Sequence, residues 1–192
     1  GSLCNSLSSM LLLIIVNRIS GESRGGFFAL AYSTAQLLFS VGGFEIRPVQ
    51  STDIKNKFTF NQYFTSRMLN CIIMLICMIG YIVVNGYTGV EALTVFWILG
   101  YRMVEAVADV YSGLFQQRER IDISGKEMLM RSGISTITFT IILWLTDNLL
   151  YAAMTLTLTS LVIMLFYDLH MKKYFEPTPV HLEWRGILGI YN

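Results

Sequence analysis

The chain has 192 residues, of which 54% are hydrophobic and 14% are charged. A typical soluble domain carries about 25% charged residues, so the composition argues against a soluble enzyme. The net charge of +1 gives no indication of a nucleic-acid partner. The three cysteines are an odd number, and two of them lie in one apolar run, which argues against a disulfide framework.

Apolar runs of membrane-spanning length alternate with short polar connectors along the chain. Lipid excludes charge and offers no hydrogen bonds to the backbone, so these runs predict membrane helices. We therefore predict an all-α polytopic membrane protein with six transmembrane helices. The predicted spans are residues 3–19, 26–44, 68–84, 92–115, 132–146 and 149–168.

The connectors predict how these helices are arranged. Only Asp147-Asn148 separates the fifth and sixth runs, which predicts a tight antiparallel hairpin. Eleven of the fourteen Lys and Arg residues lie in every second connector and in the tail. By the positive-inside rule those connectors face the cytoplasm, so both ends of the bundle are expected there. These residues are Arg47, Lys55, Lys57, Arg67, Arg118, Arg120, Lys126, Arg131, Lys172, Lys173 and Arg185.

The chain changes character after Tyr174. Pro177 and Pro179 break any helix, and the residues that follow are of mixed polarity. We expect residues 1–175 to form the six-helix bundle and residues 176–192 to form a cytoplasmic linker that leads to a further, missing half. On this interpretation the chain is a piece of a longer protein.

The fourth run carries the clearest cluster of charges. Arg102, Glu105 and Asp109 are spaced i, i+3 and i+7, so they share one face of a helix. Charged side chains at membrane depth must be paired or hydrated, so this face is expected to line a bundle interior or a water-filled cavity. The cluster is either a site for an anionic substrate or coupling ion, or a set of salt bridges that holds helices together.

Other polar residues allow two interpretations each. Arg18 and Arg24 flank the connector between the first two runs, where they either bind phosphate or reach the membrane surface and solvent. Gln36 and Ser40 either face the same cavity or bond a neighbouring helix.

The sequence contains no catalytic signature and no nucleotide, cofactor or metal motif. We therefore expect a protein that is not an enzyme. A membrane glycosyltransferase or polymerase would need a large external loop or a soluble domain, and the predicted external connectors are too short. A purely structural bundle remains a further alternative.

Two of the basic connectors carry recognisable motifs. Residues 47–53 read Arg-Pro-Val-Gln-Ser-Thr-Asp and are followed by the aromatic-rich residues 58–64 and by Arg67. Residues 111–118 read Tyr-Ser-Gly-Leu-Phe-Gln-Gln-Arg and are followed by Arg120-Ile121-Asp122, Gly125-Lys126 and Arg131. With the first helix and its exit at residues 18–21, this ordered set resembles the Wzx-type polysaccharide or O-antigen repeat-unit flippases. They belong to the multidrug/oligosaccharidyl-lipid/polysaccharide exporter superfamily. The chain departs from their pattern at Pro48, Ser51 and Glu127.

The resemblance extends to Tyr174 and implies the N-terminal half of an exporter of twelve to fourteen helices. Such a protein flips undecaprenyl-pyrophosphate-linked oligosaccharide repeat units across the bacterial plasma (inner) membrane by alternating access. The flipped units serve O-antigen or capsule assembly. The implied partners are the lipid bilayer, the lipid-linked oligosaccharide, and the polymerase and chain-length proteins of the same pathway, with no cofactor.

The resemblance also suggests roles for individual residues. Arg102 would supply positive charge to a central cavity, and Glu105 and Asp109 would orient it or carry a coupling cation. Arg18 and Arg24 would engage the head group near the outer face, with Gln36 in the cavity wall. The remaining residues would form a cytoplasmic gate: Arg47, Asp53, Arg67, Gln116, Arg120 and Lys126.

A drug or metabolite-cation antiporter of the same superfamily is the alternative. It would need a carboxylate for a cationic substrate, so the sign of the cavity charge distinguishes the two. Because Arg102 lies beside two acids, the sequence leaves that sign open.

Overall fold

A computed structural model describes residues 2–42, 46–53, 57–184 and 190, with the side chains of residues 2–6, 41 and 42 left out. Every regular element in these ranges is helical. Lys55, Arg185 and the predicted end of the second run at residues 43–44 lie outside the described residues. The α-helices are α1 (Ser2–Gly42), α2 (Ile46–Thr52), α3 (Phe60–Val84), α4 (Gly89–Gln117), α5 (Ile121–Thr146), α6 (Leu149–Ile163) and α7 (Leu169–Phe175).

α1 is two helical arms joined at a sharp break. Gly21 has φ 85° and ψ 171°, a backbone conformation that glycine adopts without steric cost. The two arms approach closely just beyond it: the Asn17 side chain occupies the space where a Cβ on Gly25 would lie. The break falls inside the connector predicted between the first two runs.

Within the described residues, three helical stretches are long and apolar enough to cross a membrane. They are α3, α5 and Leu149–Phe175, with mean hydropathies of 2.2, 1.5 and 2.1. On α3 the exposed side chains include Ile72, Ile76, Ile79 and Val83, which form the kind of apolar stripe that faces lipid. The chain therefore has the character of a membrane protein. The further spans predicted in α1 and α4 stay predictions.

The predicted hairpin between the fifth and sixth runs is confirmed. Asp147 ends α5 in a left-handed conformation with φ 46°. The side chain of Asn148 then accepts a hydrogen bond from the Leu150 N–H at 3.0 Å, which caps the start of α6. Two residues thus suffice to reverse the chain.

The connectors gather at two opposite ends of the bundle. At one, the hairpin end, the Ser20 hydroxyl donates to the Asp147 carboxylate at 3.0 Å. At the other, the basic end, the Gln117 amide donates to the Asp53 carbonyl at 2.6 Å. This alternation is the arrangement that the connector pattern predicts.

α6 continues through a π-helical turn (Met164–Asp168) into α7. The chain then extends back across the start of α3. There the Thr59 hydroxyl donates to the Glu183 carboxylate at 2.6 Å, and the Glu183 N–H donates to the Thr65 hydroxyl at 2.7 Å. Residues 176–184 of the predicted linker therefore pack against the bundle.

Among the described residues, two apolar clusters form the core, and a polar layer lies between them. The cluster nearer the hairpin end includes Phe28, Leu99 and Phe139. The cluster nearer the basic end includes Phe60 and Phe115. α4 runs through both clusters, and its Arg102, Glu105 and Asp109 lie in the layer in between.

We expect Gly21→Ala to destabilise the protein by ~1 kcal/mol, because an alanine is strained at positive φ. Gly26→Ala is the matched control, since that position lies in a helical arm with open space around it. Thermal unfolding of the detergent-solubilised protein measures both. Equal melting temperatures for the two variants would show that the break at Gly21 is not required.

Candidate functional site

The polar face of α4 is the centre of the candidate site. Arg102, Glu105, Asp109 and Ser112 follow one another at helical spacing on that face. Arg102 is 1% exposed, although an arginine is almost never so deeply buried unless it is paired. The structure therefore has to supply partners for this face, and it does so from several helices.

The first group of partners surrounds Arg102. Its guanidinium forms an ion pair with Glu105, and the Tyr101 hydroxyl donates to the same carboxylate at 2.9 Å. The guanidinium carbon also lies 4.4 Å from the ring centre of Tyr32 and 6.0 Å from that of Phe39. Aromatic faces stabilise a desolvated cation, so these rings complete the site around the charge.

The second group joins three helices through one carboxylate. Asp109 on α4 accepts from Arg47 on α2 at 2.6 Å and from Arg67 on α3 at 3.2 Å. Arg47 also donates to the Gln116 side chain at 3.4 Å. Asp109, which shares a helix face with Arg102, thus lies with the predicted gate residues Arg47, Arg67 and Gln116.

The third group was not predicted from the sequence. Arg131 on α5 pairs with Glu127 one turn away and with Asp168 at 2.8 Å. The Ser112 hydroxyl donates to the other oxygen of Glu127. The i, i+4 spacing of Glu127 and Arg131 was the signal available in the sequence. Asp168 offered none, because its partner is 37 residues away.

Together the three groups form what we call the ion network, with four arginines and four carboxylates that balance in formal charge. Its members are Arg47, Arg67, Arg102, Arg131, Glu105, Asp109, Glu127 and Asp168. A small chamber of about 40 Å³ touches all three groups through Glu105, Asp109, Glu127, Arg47 and Arg131. Its volume is enough for a water or a small ion.

A much larger groove of about 780 Å³ lies between the two arms of α1. Its lining is mostly apolar and includes Leu13, Phe28 and Phe39, with Tyr32 and Gln36 among the polar residues. Phe39 lines both the groove and the chamber. The predicted cavity residue Gln36 therefore faces the groove, while Arg102 lies behind the Tyr32 ring.

The arginines predicted near the outer face lie at the hairpin end. Arg24 forms an ion pair with the Asp147 carboxylate at 3.0 Å and donates to the Asp147 carbonyl at 2.8 Å. A cavity of about 320 Å³ beside this pair is also lined by Glu91. Arg18 is exposed on α1. Arg24 is thus already paired with a carboxylate in this structure.

The remaining predicted gate residues divide into two sets. Asp53 is tied to α4 through Gln117, whereas Arg120 and Lys126 are exposed. Arg120 pairs with Asp122 at 2.8 Å, close to it in sequence. The structure thus brings Arg47, Asp53, Arg67 and Gln116 around the base of α4, and leaves Arg120 and Lys126 outside.

Comparison of the chain with protein-family models, with curated proteins and with solved structures finds no match. The family resemblance stated from the sequence motifs therefore stays a prediction.

We expect Asp109→Asn to destabilise the protein by ~3 kcal/mol, because it leaves two neighbouring guanidinium groups without their carboxylate. Asp122→Asn, which removes an exposed carboxylate, is the control and is expected to change stability little. Chemical unfolding in detergent micelles measures both. A loss for Asp109→Asn no larger than that for the control would contradict the bridging role.

Asp53 gives a prediction that depends on pH. Partial burial alone would raise the pKa of its carboxyl. The N–H groups of Lys57 and Phe58, the Tyr63 hydroxyl and the Lys57 charge outweigh burial and hold the pKa below its ordinary value. Its stabilisation is therefore present above about pH 4 and is lost as the pH falls through the folded-state pKa.

Amide hydrogen exchange at Lys57 and Phe58, normalised to intrinsic rates, measures this effect. We expect protection of both amides to decrease as the pH falls from neutral to ~3. In Asp53→Asn we expect weak protection throughout. Protection that is the same at both pH values in the native protein would contradict the role of the carboxylate.

Proposed function

We propose that this chain is one half of a membrane exporter that flips polyprenyl-pyrophosphate-linked oligosaccharides by alternating access. The observation that carries the proposal is the position of Arg102. It is a buried guanidinium beside a large apolar groove, at the point where the groove meets the ion network. The motif resemblance supports the same function.

The groove has the chemistry that an amphiphile requires. Its apolar lining suits a polyprenyl chain, and Tyr32 and Gln36 can hydrogen-bond polar groups. A pyrophosphate that reached Arg102 would compete with Glu105 for the guanidinium, because both are anions. Substrate binding would in this way release Glu105, which lines the chamber together with Phe39, from its ion pair with Arg102.

The basic end supplies the gate of the proposed cycle. Alternating access requires that one end of the cavity close while the other opens. Asp109 ties α2 and α3 to α4 at this end through Arg47 and Arg67. We propose that these ion pairs break when the basic end opens.

We further propose that the protein lies in the bacterial plasma membrane with six spans, the basic end facing the cytoplasm. The supporting observation is the excess of Lys and Arg in the basic connectors. The partners proposed are the lipid-linked oligosaccharide and the polymerase and chain-length proteins that the resemblance implies.

A cation antiporter remains the second candidate, because Phe28, Tyr32 and Phe39 present aromatic rings to the groove. Arg102 behind the Tyr32 ring disfavours it, since a fixed cation repels a cationic substrate. The charge at position 102 therefore distinguishes the two candidates.

Complementation tests the proposal. The full protein that contains this chain is expressed in bacteria that lack their own repeat-unit flippase. We expect the native protein to restore surface polysaccharide and Arg102→Ala, at equal abundance, to reduce it about tenfold or more, because a charge-assisted contact is lost. Arg102→Lys should give an intermediate level of surface polysaccharide, since lysine keeps the charge but lacks the planar guanidinium that binds anions through two N–H groups.

Arg118→Ala removes an exposed arginine just beyond the C-terminal end of the same helix and is the matched control. Full rescue by both Arg102→Ala and the control would contradict the role of Arg102. Absence of rescue by the native protein, together with increased efflux of a cationic dye, would favour the antiporter.

A further inference from the structure

The third group of the ion network contains two acids and one base. Glu127, Arg131 and Asp168 are 1%, 6% and 0% exposed. Both carboxylates contact the same terminal nitrogen of Arg131. If both were ionised, this buried cluster would hold one uncompensated negative charge.

Within the part of the chain that the structure describes, no second cation lies within ion-pair distance of either carboxylate. The hydroxyl of Ser112 supplies a neutral hydrogen bond to Glu127. The outer oxygen of Asp168, Oδ1, is buried and has no hydrogen-bond partner among the described residues. An unpaired oxygen costs far less on a neutral carboxyl than on a carboxylate.

Among the described residues, no further cation contacts the pair. The nearest surplus positive charge is in the second group, where Arg47 and Arg67 share Asp109, and neither arginine lies within ion-pair distance of Glu127 or Asp168. Lys172, one turn beyond Asp168, points to the Thr178 carbonyl. The other polar or titratable groups near the pair, from α4, α5 and the pair's own helices, are Glu105, Tyr111, Ser132 and Tyr167. None of these groups carries a positive charge.

The helix changes its geometry at this point. Asp168 is the last residue of the π-helical turn Met164–Asp168. A π-helical turn accommodates an extra residue with poorer packing than an α-helix, and such turns are frequent at functional sites. The Asp168 carboxyl therefore lies at the end of an irregular helical turn, where it contacts Arg131 of α5.

From this geometry we propose that Glu127 and Asp168 form a proton-binding site in which the two carboxyls share one proton over Arg131. Loss of the proton places two negative charges on one guanidinium. The resulting repulsion favours movement of the π-helical turn away from α5. This site is independent of the substrate proposed above.

Infrared difference spectroscopy tests the site on the purified protein in nanodiscs. Spectra recorded over a pH series report the C=O stretch of neutral carboxyl groups. We expect the native protein to hold one buried neutral carboxyl at pH values where exposed carboxyls are already ionised, and to lose it as the pH rises further. Absence of that signal in the native protein overturns the proposal without any variant.

Two variants assign the signal. Asp168→Asn and Glu127→Gln each leave one carboxylate matched to Arg131, so each is expected to abolish the neutral-carboxyl signal. Either variant that folds is sufficient. Asp122→Asn, which removes an exposed carboxylate at the start of α5, is the control and should leave the signal unchanged. A signal that persists in a folded Asp168→Asn or Glu127→Gln protein overturns the proposal.

The melting temperature gives a second readout. The folded state retains the proton above the pH at which an unfolded carboxyl loses it, so stability should fall as the pH rises through the titration of the pair. Asp168→Asn should abolish this decrease in stability with rising pH. Because neither measurement involves transport, the proton site can be supported while the flippase proposal fails, and the reverse also holds.

Discussion

The neutralisation of charge inside an apolar helical bundle is the constraint on which the rest of this structure depends. An ionisable side chain at the centre of a membrane costs about 3 kcal/mol even after local adjustment. This chain places four arginines and four carboxylates between its two apolar clusters. Their pairings connect α2 to α4, α3 to α4, and α5 to the end of the π-helical turn. The charge pairs therefore link these helices at the basic end.

α4 organises both the core and the candidate site. Its apolar residues contribute to both core clusters, and its polar face carries Arg102, Glu105, Asp109 and Ser112 on successive turns. Phe39 lines both the groove and the chamber, so a ligand in the groove can affect the ion network through this one aromatic side chain. This connection is the physical basis for coupling between substrate and gate in the proposed cycle.

Much of the helical arrangement follows from the sequence, because runs of apolar residues and their polar connectors are local patterns. The hairpin at Asp147-Asn148 and the break near Gly21 are of this kind. The pairing of charges is different, since it depends on contacts between distant helices. Helical spacing placed Asp109 on the face of Arg102, but its partners Arg47 and Arg67 come from α2 and α3. Asp168 was missed because its partner, Arg131, lies on another helix, 37 residues away in the sequence.

The coupling free energy between Arg47 and Asp109 tests the central role of the ion network most directly. It is obtained from a double-mutant cycle of Arg47→Gln, Asp109→Asn and the double variant, with chemical unfolding as the readout. Their side chains are 2.6 Å apart, so we predict a favourable coupling of about 1 kcal/mol or more. Additive effects of the two substitutions, within about 0.4 kcal/mol, would contradict the claim that charge pairing holds α2 against α4.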